Sequence, residues 1–337
     1  MKKIWFLLFV FGAAIANLTG CQNDDTLATQ SSDGQDKILQ YQSTPGQVSF
    51  PELAEALGYF GDLKLEKVSN QVSGPESIQL TATGEIDFGY AFNGAIIKSY
   101  VQGVKIKSVV GAYGSDENTF IGFYTLKDSG IKTAKDFIGK KIGVNTLGAH
   151  AEFAIKQFLR DNGLTEDEIK QVELVVVPQA SAEQILRAGQ VDIVQLSGID
   201  KERALENGGI RPVFKDIDLF GEFTAGEYFF TEKYIKENPD TVRAFVEGVA
   251  KAIEWARTTP REEVIAKMEE IVKARPGNET TENLKYWKST GIANEGGVIE
   301  EKEFQVWIDW LVRNGELKEG QVKAKELFTN EFNPYAK

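Results

Sequence analysis

Apolar positions along this chain fall alternately into short β-prone runs and runs with helical spacing. The first run predicts a strand over 38–42. A polar turn follows at Ser43, Thr44, Pro45 and Gly46, then a helix through Phe50, Leu53, Ala54 and Leu57 that stops at Gly58. A second strand is expected over 63–68, a polar turn over 70–74 and a helix over 75–84. A third strand over 86–91 leads into Asn93 and Gly94, which open a helical stretch through Ile97 and Tyr100. This βαβαβ order implies a mainly parallel sheet covered by helices.

The order then repeats. Strands are expected over 141–144, 172–177 and 191–196, with helices over 149–160 and 182–188. Local strings match as well: SIQLTATGEID at 77–87 and AEQILRAGQVD at 182–192 each pass from a helix end through glycine to an aspartate. Two similar lobes in tandem explain both copies. Asp87 and Asp192 therefore occupy equivalent turns, where a carboxylate fixes backbone rather than forming a catalytic pair. Segments 111–125 and 222–231 are β-prone and suit two crossovers between the lobes, which together make a hinge. The division expected is 37–115 with 225–337 for the first lobe and 116–224 for the second.

The remainder is helical. Asn238 with Pro239 suits a cap and first turn, and Thr259-Pro260-Arg261-Glu262 has the spacing of a capping box. A last amphipathic helix carries Phe304, Trp307, Ile308 and Leu311 and ends at Gly315, its aromatic residues packing as core.

The most informative stretch is 139–164, GKKIGVNTLGAHAEFAIKQFLRDNGL, a strand, a tight turn and an amphipathic helix in succession. The first N–H groups of such a helix are unpaired and converge near Asn145, Thr146 and His150, a seat for an anion or another acceptor.

Charge and the N-terminus narrow the class. The formal net charge is −12, which argues against nucleic acid or anionic lipid as partner. The chain opens MKKIWFLLFVFGAAIANLTGC: two lysines, an apolar run too short to span a bilayer, then Leu-Thr-Gly-Cys. That string resembles the lipobox of bacterial lipoproteins, with 1–20 as signal peptide and Cys21, the sole cysteine, as the lipidated residue. Residues 21–36 are polar and suit a flexible tether. One cysteine leaves no disulfide framework. One histidine and one cysteine leave no soft metal-ligand set, so no metal is expected.

The lipobox, the turns at 43–46 and 73–77, the paired Gly-x-x-Asp steps and above all KTAKDFIGKKIGVNTLGAHAEF at 132–153 resemble the substrate-binding lipoproteins of ABC importers. The likeness is to the binders of nitrate, sulfonate, taurine and thiamine-pyrimidine precursors. It implies an α/β fold of the periplasmic-binding-protein-like II type: two similar lobes with central mainly parallel sheets, two crossovers, and C-terminal helices on the lobes. It further implies a monomer, tethered by its lipid to a bacterial membrane and facing the periplasm or exterior, which closes on a small-molecule ligand and docks on a permease with its ATPase. No cofactor or catalysis is implied, and the phosphate-binding string GxxxxGK[ST] is absent.

In such sheets ligands sit beyond the carboxyl ends of the strands. This selects Thr44, Gly46, Ser73, Gly74 and Asn93 in the first lobe, Thr146, Gly148, His150, Gln195 and Ser197 in the second, and Tyr228 on the returning crossover. Thr44, Ser73 and Thr146 equally suit helix caps, the glycines local geometry, and His150 packing against its turn. The neutral donors suit a sulfonate, nitrate or taurine-like anion, with Glu227 available to an amine. A thiamine-pyrimidine or other heteroaromatic precursor would instead stack on Tyr90, Phe92 or Tyr228. An enzyme of the pyrimidine-synthase kind and a surface sensor are the other readings.

Overall fold

The computed structural model describes residues 35–337. The expected signal peptide, the lipidated Cys21 and residues 21–34 of the expected tether lie outside the described residues. The first lobe begins with β1 (Ile38–Ser43), α1 (Phe50–Ala56), β2 (Lys64–Asn70), α2 (Gly74–Thr83), β3 (Phe88–Phe92), α3 (Asn93–Val101) and β4 (Ile106–Ser115). The second contains β5 (Gly122–Leu126), β6 (Lys141–Val144), α4 (His150–Asp161), α5 (Glu166–Ile169), β7 (Glu173–Val176), α6 (Ala182–Arg187), β8 (Ile193–Leu196), α7 (Gly198–Glu206), β9 (Ile210–Lys215) and α8 (Asp216–Phe220). The chain then returns as β10 (Phe223–Thr231), followed by α9 (Glu232–Glu237), α10 (Pro239–Thr258), α11 (Arg261–Ala274) and α12 (Glu301–Arg313).

Strand pairing makes the two lobes copies of one design. The second sheet runs β7-β6-β8-β5-β9, with β5 antiparallel to both neighbours. In the first lobe β2 pairs with β1, and β10 lies antiparallel between β3 and β4. The two halves of that sheet join through an aspartate. Gln40 N–H donates to Asp87 Oδ2 at 2.6 Å and Asp87 N–H to Gln40 O at 3.0 Å. In the second lobe Lys141 N–H donates to Asp192 Oδ2 at 2.9 Å and Asp192 N–H to Lys141 O at 2.9 Å. Both carboxylates thus stitch the first strand of a βαβαβ unit to the turn before its third.

Alternation along β10 places the core. Tyr228 and Phe230 face a cluster with Leu53 of α1, Phe245 and Val249 of α10, and Met268 of α11. Ala225 and Phe229 face the opposite cluster with Ile96 of α3 and Trp307 of α12. Phe153 of α4, a second-lobe helix, also enters that cluster and stacks on Trp310 at 3.9 Å. Among the described residues no helix is long and apolar enough to cross a membrane.

Several expectations change. The crossover expected over 111–125 is two strands in different sheets, separated by a turn in which Asp116 Oδ1 accepts from Asn118 and Thr119 N–H at 2.8 and 2.7 Å. Asn238 does not cap α10, because its Oδ1 accepts the N–H of Asp36 at 3.0 Å. The free first-turn donors of α10 instead meet Gln35 Oε1, at 2.8 Å from Asp240 N and 3.2 Å from Thr241 N. The chain is therefore anchored from Gln35, two residues before the expected start. Thr259 forms no capping box, since α11 starts one residue later, with Pro260 as its cap position. Strand β9 and the short helices α5, α7, α8 and α9 are too brief and polar to show a period.

Candidate functional site

The carboxyl ends of β1, β2 and β3 carry three amides, Gln42, Gln71 and Asn93. Each NH₂ group is already engaged. Gln42 Nε2 donates to Ser69 Oγ at 3.1 Å and Asn70 O at 3.3 Å, and Gln71 Nε2 to Tyr90 O at 3.3 Å. Asn93 Nδ2 donates to Glu227 Oε1 and to Glu303 O, both at 3.2 Å. A backbone carbonyl can only accept, so these contacts fix which end of each amide is nitrogen. The oxygens Gln42 Oε1, Gln71 Oε1 and Asn93 Oδ1 remain buried with no partner, as does Glu227 Oε2. Buried acceptors without donors are uncommon in native proteins, and these four lie on or just beyond strands of the first lobe.

Aromatic residues continue this wall. The Tyr90 ring meets Tyr113 at 6.0 Å and Tyr228 at 5.5 Å, edge to face, and its hydroxyl lies 3.3 Å from Thr44 Oγ1. The loop carrying Thr44 is pinned from far along the chain by Arg275. That side chain donates to Thr44 O at 3.4 Å, Gln47 O at 2.6 Å, and the carboxylates of Glu52 and Glu279, both at 2.8 Å. Glu279 in turn accepts the Gly46 N–H at 2.8 Å, and Gly46 adopts φ 69°, open to glycine without strain.

Residues 51–263 match the family model described as NMT1/THI5 like. The chain belongs to that family. It is 23% identical over 314 residues to the 4-amino-5-hydroxymethyl-2-methylpyrimidine phosphate synthase of Candida albicans, covering 88% of this chain and 86% of that one. It is 21% identical over 292 residues to the riboflavin-binding protein RibY of Chloroflexus aurantiacus, covering 84% and 81%. Among solved structures, the periplasmic aliphatic sulphonate binding protein SsuA from Escherichia coli superposes with a TM-score of 0.65 at 17% identity, covering 87% of this chain and 92% of that one. The fold is thus periplasmic-binding-protein-like, as the resemblance implied.

In this NMT1/THI5-like chain a carboxylate stands beside the helix end of 139–164. Gly148 N–H donates to Glu152 Oε2 at 2.8 Å, so the helix's own first-turn carboxylate answers its dipole. His150 is shut away rather than presented. Its ring stacks on Phe92 at 5.2 Å, with Phe223 and Trp307 edge-on at 5.4 and 5.8 Å, and burial pushes its pKa down to about 3. Its Nε2 lies 3.4 Å from Asp216 Oδ2. Asp216 ties both ends of the 116–121 turn, accepting from Ser115 Oγ at 2.6 Å and Ile121 N–H at 3.0 Å. Burial raises its pKa to about 6.

The other expected residues divide in the same way. Ser73 caps α2 by accepting from Glu76 N, and Gly74 lies where a Cβ would meet that of Ala91 at 2.9 Å. Thr146 Oγ1 reaches only Leu147 O, and Ser197 starts α7 without a side-chain cap. Gln195 Oε1 accepts Asn145 N–H at 3.2 Å. Tyr228 is buried among Phe88, Tyr90 and Phe245. Thr44 and Asn93 are the two that join the acceptor wall. Sequence reasoning missed Gln42, Gln71, Tyr113, Arg275 and Glu279. For Arg275 no local signal exists, whereas Ser49-Phe50-Pro51-Glu52 does show the capping box that places its partner Glu52.

The wall contains a second buried acid. Burial and the nearby Glu303 push Glu227 well above the usual carboxylate range, and burial raises Glu303 to about 7. A carboxyl raised in the folded state contributes stability below its unfolded pKa of about 4.5 and loses it as pH rises through about 7. Between pH 5 and pH 8 the ligand-free protein should therefore lose stability in urea unfolding, and Glu303→Gln should reduce that loss by on the order of 2 kcal/mol. An equal slope in both proteins would contradict a raised Glu303.

Proposed function

We propose that this chain is an extracytoplasmic solute-binding protein of an ABC importer, whose lobes close on a small heteroaromatic molecule bearing hydrogen-bond donors. The observation that carries this reading is the set of four buried acceptor oxygens on Gln42, Gln71, Asn93 and Glu227, all without partners. An amino-substituted ring nitrogen system supplies donors in one plane, and Tyr90 and Tyr113 supply aromatic contact beside them. A nitrate or sulfonate supplies only acceptors, which these oxygens would repel, so the expected anion class has less support than the heteroaromatic one. The names of the pyrimidine synthase and riboflavin-binding relatives favour the same direction.

In this reading the protein is a carrier and not an enzyme. Enclosure of the sole histidine among Phe92, Phe223 and Trp307 argues against its use as a reactive group. The lipid on Cys21 would hold the carrier at the membrane, where a permease and its ATPase receive the ligand.

A thermal-shift panel tests the reading on the soluble chain beginning after Cys21. Aminopyrimidines and flavins should raise the melting temperature, by about 2.7 kcal/mol of stability at one hundred times Kd. Stabilisation by nitrate, alkanesulfonates or taurine alone would overturn the donor-bearing class. Mass spectrometry of the bound ligand after prolonged incubation checks the second point, since a carrier returns it unchanged.

A further inference from the structure

Helix α4 belongs to the second lobe but packs against the first. Phe153 meets Trp310 at 3.9 Å, Phe92 at 5.1 Å and Trp307 at 5.7 Å, while Lys156 and Arg160 lie over the Trp310 ring. His150 opens the same helix. Among the described residues its ring neighbours are Phe92 of β3, Phe223 of β10 and Trp307 of α12, all in the first lobe, and Phe220 of its own lobe at 6.3 Å. The side chain is 5% exposed, and neither nitrogen has a hydrogen-bond partner among the described residues. The other lobe thus seals the imidazole, and separating the lobes returns it to water.

The surroundings offer no counter-charge for an imidazolium. Asp216 of α8 is nearest, with Oδ2 3.4 Å from Nε2, but that oxygen already accepts from Ser115 Oγ, and burial raises the carboxyl to about 6, so it turns neutral as the medium acidifies. Lys201 of α7, which acts on Asp216, is itself a cation. On α4, Glu152 is committed to Gly148 N–H and Lys156. Lys98 of α3 pairs with Glu316 at 2.7 Å. Glu227 of β10 and Glu303 of α12 hydrogen-bond within the first lobe, to Asn93, Thr224 and Asn294, and burial keeps both toward the neutral acid. Strand β3 brings no charged side chain, and the other charges of α8 and α12 sit on exposed faces.

We propose that His150 is a proton-operated latch: neutral, it lets α4 seat among the first-lobe aromatics, and protonated, it drives α4 out and parts the lobes. The inference rests on the reading of the protein as a carrier whose lobes open and close. One proton does the work. An imidazole in water takes up a proton near pH 6.5, whereas burial holds that of His150 down to about 3. Between these limits the closed form binds fewer protons than the open one. Closure is therefore at full strength above about pH 6.5, and the open-to-closed ratio rises by up to about tenfold for each pH unit below it.

The sole histidine is its own reporter. In NMR of the ligand-free soluble chain carrying isotope-labelled histidine, the imidazole should titrate between about pH 6.5 and pH 4 while circular dichroism stays native. Lobe separation is read independently by spin labels on Val72→Cys, in the loop after β2, and Val176→Cys, at the end of β7, both exposed. The chain beginning after Cys21 has no other cysteine to label. Electron–electron resonance should show a second label distance that grows as pH falls from 8 to 4.5, and His150→Phe in the same background should keep the pH 8 distribution throughout. An imidazole that stays neutral to about pH 4 in the folded protein would overturn the latch. So would titration that occurs only together with loss of native circular dichroism, since His150 would then be exposed by unfolding. The same lobe separation in His150→Phe would place the switch elsewhere and sink the proposal. None of these results touches the carrier reading, which the thermal-shift panel decides at one fixed pH.

Discussion

Glu227→Gln is expected to cost the protein about ten- to a hundredfold in ligand affinity without loosening its fold. The side chain is wholly buried, one oxygen is held by Asn93 at 3.2 Å, and the other has no partner. Glutamine keeps the shape and the Asn93 contact but turns a donor toward the ligand's own donors. A ligand donor left buried against the amide N–H without an acceptor costs about 1–3 kcal/mol. The ligand-free protein behaves differently. Burial already disfavours the charged form of Glu227, so a neutral amide should leave the ligand-free melt unchanged or slightly higher. Titration of the best compound from the thermal-shift panel, with a melt recorded on the same samples, separates the two effects. Equal affinity in both proteins would remove Glu227 from the site.

Arg275→Met should produce the largest loss of stability, about 3–5 kcal/mol. Only 8% of the Arg275 side chain and 4% of that of Glu52 are exposed, so removing the cation leaves a buried carboxylate without its charge partner. Tyr41 still donates to Glu52 at 2.7 Å, which a hydroxyl alone cannot make good. Loss of the guanidinium also frees the Thr44 and Gln47 carbonyls, so ligand affinity should fall with stability. Urea unfolding gives the first number. Adding Glu52→Gln to Arg275→Met should recover part of it, because the stranded charge is then gone. A single variant within 1 kcal/mol of the parent would show that the loop is held by other contacts.

The parallel βαβ halves were legible because their strands are apolar, their helices periodic and their ends marked by glycine, as at Gly84 and Gly189. The break between β4 and β5 was not, since 116–121 is short and its flanks are both β-prone. Caps proved local only in part: Ser73 caps as its spacing implied, whereas Asn238 is drawn away by Asp36 from some 200 residues earlier. The site followed the same rule. Sheet topology pointed to the strand ends that carry Thr44 and Asn93, yet the sequence does not say that the Glu152 side chain folds back to the Gly148 N–H just before its helix. Arg275 lies more than 220 residues from the loop it pins, beyond any periodic signal.

The placement of β10 has a consequence for how the chain comes into being. It is an interior strand of the first sheet, between β3 and β4, yet it follows the whole of the second lobe in sequence. As the chain is synthesised, β5 to β9 become available together and can close a complete sheet while β3 and β4 still lack the strand that joins them. Phe88, Phe92, Val109 and Val110, all buried in the finished molecule, must wait through more than a hundred further residues for cover. The older half of the chain therefore completes its sheet after the younger half can complete its own.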